Sequence, residues 1–202
     1  MNGCSLISFA DSHRVVHLLE MMSALTEKKK EVVGKWIDRV LSTYQSPDFF
    51  KTQKDRIANP VGSNIAEGLR EIFELLLAGA DSERFSEPLD RVVRIRAVQD
   101  FSPSQAVSFM FMLKDVVRVE LTKDGGVLPA ETAEFEAAID RAALQAFDIY
   151  MACRERLFQI RIRELQNGTH ILTDGTKCAS AWLKNKLNKS ADNNQIKQSN
   201  LK

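Results

Sequence analysis

Residues 94–109, "RIRAVQDFSPSQAVSF", set two arginines, an aspartate and a proline into a run that otherwise reads as buried helix. Ser102 can accept a hydrogen bond from the next turn, Pro103 suits a first helical position, and Gln105 completes a capping box three residues after the serine. These residues are therefore expected to mark a helix boundary and to have no catalytic role. Upstream, "SEPLDRVVRIRAVQ" has Ser86 as its cap, Pro88 in its first turn, and Leu89, Val92, Val93, Arg96 and Val98 on a mostly buried helix. Downstream, "AVSFMFMLKDVVRVEL" is apolar around most of its circumference. Phe109, Phe111 and Met112 are expected to be surplus to one side of a single-layer core and to need a second surface.

Working outward toward the N-terminus, "EKKKEVVGKWIDRVLSTY" places Val32, Val33, Trp36, Ile37, Val40, Leu41 and Tyr44 on one helical face, with Thr26 as its expected cap. A short helix through "HRVVHLLEMMSAL", capped by Asp11 or Ser12, is expected before it. A short helix through Phe49, Phe50 and Ile57 is expected after Pro47. Asn59-Pro60 then opens a helix that runs to Ala78 and stops at Gly79. Ala58, Gly62 and Ala66 lie four apart, and Gly62 and Gly68 together point to a close helix crossing. Toward the C-terminus, Gly125-Gly126 ends one helix, and an apolar stripe from Phe135 to Leu165 predicts a helix from Pro129 to Leu165, roughly 55 Å long. No strand pattern precedes Leu165. The expected architecture is all-α: an N-terminal extension with a short helix (1–25), one helical domain (26–166) and a basic, disordered tail (167–202).

With 44% hydrophobic residues the chain can bury a core, and 28 Lys plus Arg against 27 Asp plus Glu give no overall field for nucleic acid or anionic membrane. The tail alone is basic, with six lysines after Gly168 against Asp174 and Asp192; without interleaved arginines or multiple aromatics it predicts weak attraction only, so nucleic acid is not expected as a partner. No run is long and apolar enough to span a bilayer and the start lacks a secretory pattern, so a cytoplasmic address is expected. Cys4, Cys153 and Cys178 are far apart and read as free thiols.

No histidine lies between residues 18 and 169, which removes ordinary triads and a proximal haem ligand from the helical body. His13, His17 and Glu20 could share a helix face, but they read as solvated side chains, and no metal site is expected. Phosphate cradles and nucleophile elbows are absent as motifs, so neither a cofactor nor an enzyme is expected. What remains is charge set in apolar sequence. The candidates for a ligand or partner surface are Lys54, Arg56 and Asn59; Arg94, Arg96 and Asp100; and Asp148 and Arg154. Structural salt bridges are the competing explanation, with Arg96 and Asp100 able to pair four residues apart in the weaker, Arg-first order.

Three of these segments, "KDRIANPVG", "RIRAVQDFSPSQAVSF" and "AFDIYMACRERL", in this order, resemble the N-terminal domain of the RsbRD family of RsbT co-antagonists, over roughly Thr26 to Leu165. The resemblance implies a globin-like, non-haem sensor domain that dimerises and feeds a stress-response signal to an output domain. In the family a STAS domain follows. Only 37 residues remain here after Leu165, too few for one, so the expectation is a stand-alone input module with its output in another protein. The alternative is an assembly or adaptor subunit of a larger complex, a redox complex being one option.

Overall fold

The computed structural model describes residues 7–45, 47–52, 56–99, 101–123, 125 and 128–173. Among them there is no strand: the elements are α1 (Ile7–Glu27), α2 (Lys29–Leu41), α3 (Pro47–Thr52), α4 (Pro60–Leu77), a 3-10 turn (Ser82–Phe85), α5 (Ser86–Ala97), α6 (Pro103–Thr122) and α7 (Thr132–Thr173). The protein is all-α. The chain divides after Arg154 into two units, Met1–Arg154 and Glu155–Lys202.

Two helix starts follow directly from their cap residues. Asn59 Oδ1 accepts from the Gly62 amide at 2.8 Å with Pro60 next in line, and Ser102 and Gln105 form both halves of the capping box that opens α6. Three others begin elsewhere than expected. Asp11 and Ser12 fall inside α1, which is 21 residues long instead of short. Thr26 is also inside α1, where its hydroxyl donates to the Met22 carbonyl at 2.7 Å; a side chain committed to the preceding turn cannot cap the next helix, and α2 starts after Lys28 without a side-chain cap. Ser86 is the first residue of α5 and not its cap, because the 3-10 turn feeds straight into the helix through Phe85 (φ −75°, ψ −17°); its hydroxyl instead receives the Gln145 amide at 2.9 Å. Ile57 lies outside α3, in a turn, and is 91% exposed.

In the first unit, α4 packs along α5, and α2 lies between α4 and α6. The C-terminal half of α1 adds Met21 and Leu25 to the same core. Gly68 is what lets α4 and α5 close: a methyl there would stand 2.6 Å from Val92 Cγ2 and 3.1 Å from the Pro88 carbonyl oxygen. The surplus expected on α6 is mostly absorbed within the chain. Phe109 is fully buried with Met110 and Leu113, and the Trp36 indole donates to the Phe109 carbonyl at 2.6 Å; on α6 only Phe111 and Val119 remain as large exposed apolar side chains. A helix covered from several sides has no single outward face to spare.

The start of α7 belongs to this core through Phe135, Ile139, Ala142, Ala143, Ala146 and Tyr150. The helix does not end at Leu165 but continues through Asn167-Gly168 to Thr173, since one glycine costs a helix about 1 kcal/mol, too little to stop one that is already propagating. In the second unit the side chains from Glu155 to Asn167 are all exposed.

Candidate ligand and partner surface

Arg96 is the charge held by the most contacts among the described residues. It stands on the last turn of α5 with no solvent exposure. Its Nε donates to the Ala106 carbonyl at 3.0 Å and its Nη2 to the Gln105 carbonyl at 2.9 Å, while Nη1 reaches the Thr43 hydroxyl at 3.2 Å and the Tyr44 hydroxyl at 3.3 Å. The guanidinium also lies 4.3 Å from the Phe101 ring centroid, 5.3 Å from Tyr44 and 5.9 Å from Phe109. One side chain thus ties the end of α2 to the start of α6 through neutral acceptors and ring faces, which suits a planar, weakly hydrated cation better than an ammonium. Burial pulls its pKa down and pushes that of Tyr44 up, and their mutual contact opposes both shifts. Asp100, the expected partner, and Lys54 lie outside the described residues.

The other candidates do not converge on Arg96. Arg94, two residues earlier on α5, is exposed and pairs with Asp90 at 2.7 Å, so the two arginines of the opening stretch point to different environments. Arg56 is exposed and pairs with Glu67 at 3.2 Å. Asn59 is buried, capping α4 and donating to the Phe50 carbonyl at 3.0 Å. Arg154 donates to the Ala97 carbonyl at 3.3 Å, closing the end of α5 from α7. Asp148 is exposed on α7.

Sequence reasoning missed two arrangements. The first is a cleft of about 750 Å³ beside Arg96, walled by Tyr44, Phe49, Phe50 and Phe101. Tyr44 meets Phe101 edge-on and Phe50 at a tilt, 5.3 Å from each, and Phe49 meets Phe50 edge-on at 5.5 Å. Gln99 lines the same cleft with a buried Oε1 that has no hydrogen-bond partner. The signal available in sequence was the aromatic pair Phe49-Phe50 beside Tyr44, but Phe101 joins them only through the fold.

The second is Glu120, whose side chain has no exposure although it is charged and stands in the last turns of α6. Its carboxylate pairs with Lys35, Lys123 lies 3.9 Å from its other oxygen, and Lys28 donates to its backbone carbonyl at 3.1 Å. The hydrogen bond from Lys35 holds the Glu120 pKa below the ordinary carboxylate value, and the same bond raises that of Lys35. Counting from Leu113 and Val117 by three and four would have put Glu120 on the buried face. Neither arrangement offers a nucleophile with a base beside it, and no cluster of three or more His, Cys, Asp or Glu among the described residues could hold a metal ion.

The family model of the RsbT co-antagonist protein RsbRD N-terminal domain matches residues 30–165, a span that takes in α2 to α6 and most of α7. The chain belongs to the RsbRD N-terminal domain family. An uncharacterized protein of Archaeoglobus fulgidus is 30% identical over 140 residues, which cover 67% of this chain and 83% of that protein. No solved structure matches the chain. Within this RsbRD-type domain, both the Arg96 tie and the aromatic cleft fall inside the matched span. No helix among the described residues is long and apolar enough to cross a membrane.

Proposed function

We propose that the chain is a non-catalytic signalling input module that works as a cytoplasmic homodimer and hands its signal to a separate output protein. The family match over the helical body carries the regulatory part of this reading. The absence of histidine between residues 18 and 169 agrees with the globin-like, non-haem domain that the family implies.

The dimer is supported by α7. In the first unit Leu144, Phe147 and Met151 are 69%, 39% and 47% exposed at steps of three and four, one apolar stripe. In the second unit Phe158 and Ile162 are 68% and 40% exposed, and Phe158 keeps the seven-residue spacing of Leu144 and Met151 in the sequence. By the same seven-residue spacing, Arg154 and Arg161 continue the column of Phe147 at one edge of the pattern, and Asp148 and Glu155 share the column of Ile162 at the other. A two-fold axis parallel to α7 sets the basic edge of one copy against the acidic edge of the other, whereas an antiparallel pairing sets like charges together. Such rim charges choose orientation more than affinity, since exposed pairs contribute about 0.2–1 kcal/mol each.

Light scattering of the full chain at micromolar concentration is expected to report a dimer mass, and a monomer mass at all concentrations would remove the homodimer. Affinity capture at native expression tests the output partner. Recovery of signalling proteins is the expected result, whereas stable co-purification with the subunits of a redox enzyme would favour the assembly role.

A further inference from the structure

We propose that the cleft between the end of α2, α3 and the α5–α6 junction binds a neutral, flat aromatic molecule carrying an N–H or O–H donor. At about 750 Å³ it falls within the size range of small-molecule sites, roughly 300–1,000 Å³, and its described lining is half aromatic and half polar but uncharged. Four rings, Tyr44, Phe49, Phe50 and Phe101, give a flat occupant both faces and edges to pack on. Phe49 stands half-exposed on the cleft wall.

The polar lining selects for charge. Thr43, Gln45, Gln99 and Gln105 are neutral, and no ionised side chain is among the described lining residues. Arg96 is near but cannot contact an occupant: it has no exposed surface and its donors go to Gln105, Ala106, Thr43 and Tyr44. Among the described lining residues nothing offers an acid a salt bridge. Recognition of a donor is built in. Gln99 Oε1 is a buried acceptor without a partner, a state that folded proteins avoid, and its amide turns about a soft terminal torsion to meet a donor brought in by the occupant. Water can supply that donor but leaves the rings unsatisfied; an aromatic donor satisfies both.

As the signal of an input module the ligand rests on the reading above, but its binding is measured on the isolated protein. Failure of binding therefore leaves the regulatory reading to partner capture. The experiment titrates the ¹⁵N-labelled full chain with indole and with 1-methylindole, which has the same shape without the donor, and follows amide shifts. Saturable shifts are expected at Tyr44, Phe50, Gln99 and Phe101, with indole bound about three- to tenfold more tightly, the size of one hydrogen bond. Gln99→Leu should abolish that preference. Phe49→Ala, a half-exposed position with little part in folding, should weaken both probes alike and serves if the first variant does not fold. Absence of saturable shifts up to millimolar indole, equal affinity for the two probes, a preference that survives Gln99→Leu, or unchanged affinity in Phe49→Ala would each overturn the proposal.

Discussion

Replacing Arg96 separates the value of its charge from the value of its shape. In Arg96→Met two strong bonds are lost, to the Gln105 and Ala106 carbonyls at 2.9 and 3.0 Å, and two longer ones, to Thr43 and Tyr44. Hydrogen bonds to charged groups contribute about 1.5–3 kcal/mol each, and the stacking on Phe101 about 1–2 kcal/mol more. Against this, a guanidinium with no exposure, whose acceptors among the described residues are all neutral, carries a desolvation cost of several kcal/mol, which methionine removes while filling most of the space. Gln105 also keeps a partner, because its carbonyl accepts from Ser108 at 2.8 Å. The net loss for Arg96→Met is expected to be about 1–2 kcal/mol. Arg96→Ala adds a cavity and should lose about 3–5 kcal/mol. Arg96→Lys is the informative case: it keeps the buried charge, but a compact ammonium cannot reach both the Thr43 and Tyr44 hydroxyls after α2 and the α6 carbonyls, so a loss of about 3–4 kcal/mol is expected. Urea unfolding followed by circular dichroism, with unchanged slopes, measures all three. If lysine proved milder than methionine, the charge itself would be stabilising, and the account of Arg96 as a strut bonded to neutral groups would fail.

Two glycines should respond oppositely to alanine. Gly34→Ala in α2, with no atom within 4 Å of the new methyl, is expected to gain about 0.5–1 kcal/mol, whereas Gly68→Ala drives a methyl into Val92 and should lose about 1–2 kcal/mol net; thermal melts of the pair decide it. The Glu120–Lys35 pair should give an acid limb: because the folded pKa of Glu120 lies below its ordinary 4.5, its contribution is present above that value and is lost as pH falls through the depressed one. Melting temperatures from pH 5 to 3 should therefore fall less in Glu120→Gln than in the native chain, and parallel curves would contradict the pairing. Leu144→Glu with Met151→Glu should convert a dimer to a folded monomer by light scattering, since both side chains are exposed and neither supports the core.

The sequence made local features legible and left non-local ones hidden. The capping box at Ser102 and the Asn59-Pro60 start depend on residues within three positions of each other, and both stand as read. Thr26 and Ser86 have the right chemistry for caps, but Thr26 bonds the turn before it and Ser86 a residue 59 positions away, and a cap pattern carries no information about such competitors. The all-α class followed from periodicity alone. Arg96 shows the limit most plainly: its spacing from Leu89, Val92 and Val93 puts it on the buried face, but two of the groups that receive its guanidinium, Thr43 and Tyr44, lie more than fifty positions away and are brought to it only by the fold. Of the residues expected at a site, Arg56 and Arg94 sit in surface ion pairs and Asn59 caps α4, while the cleft is built of aromatics that were not among them.

Trp36 gives the molecule an optical gauge of its own. Its indole is fully buried, hydrogen-bonded to the Phe109 carbonyl and 6.4 Å from the Phe109 ring, so its emission depends on the register of α2 against α6. The second tryptophan, Trp182, is far along the chain, and a Trp182→Phe variant leaves a single emitter. Any slip of α2 along α6 breaks that bond and changes the polarity around the ring, shifting the spectrum without an attached dye. Rearrangement between these two helices can therefore be timed by stopped-flow fluorescence in the unlabelled protein.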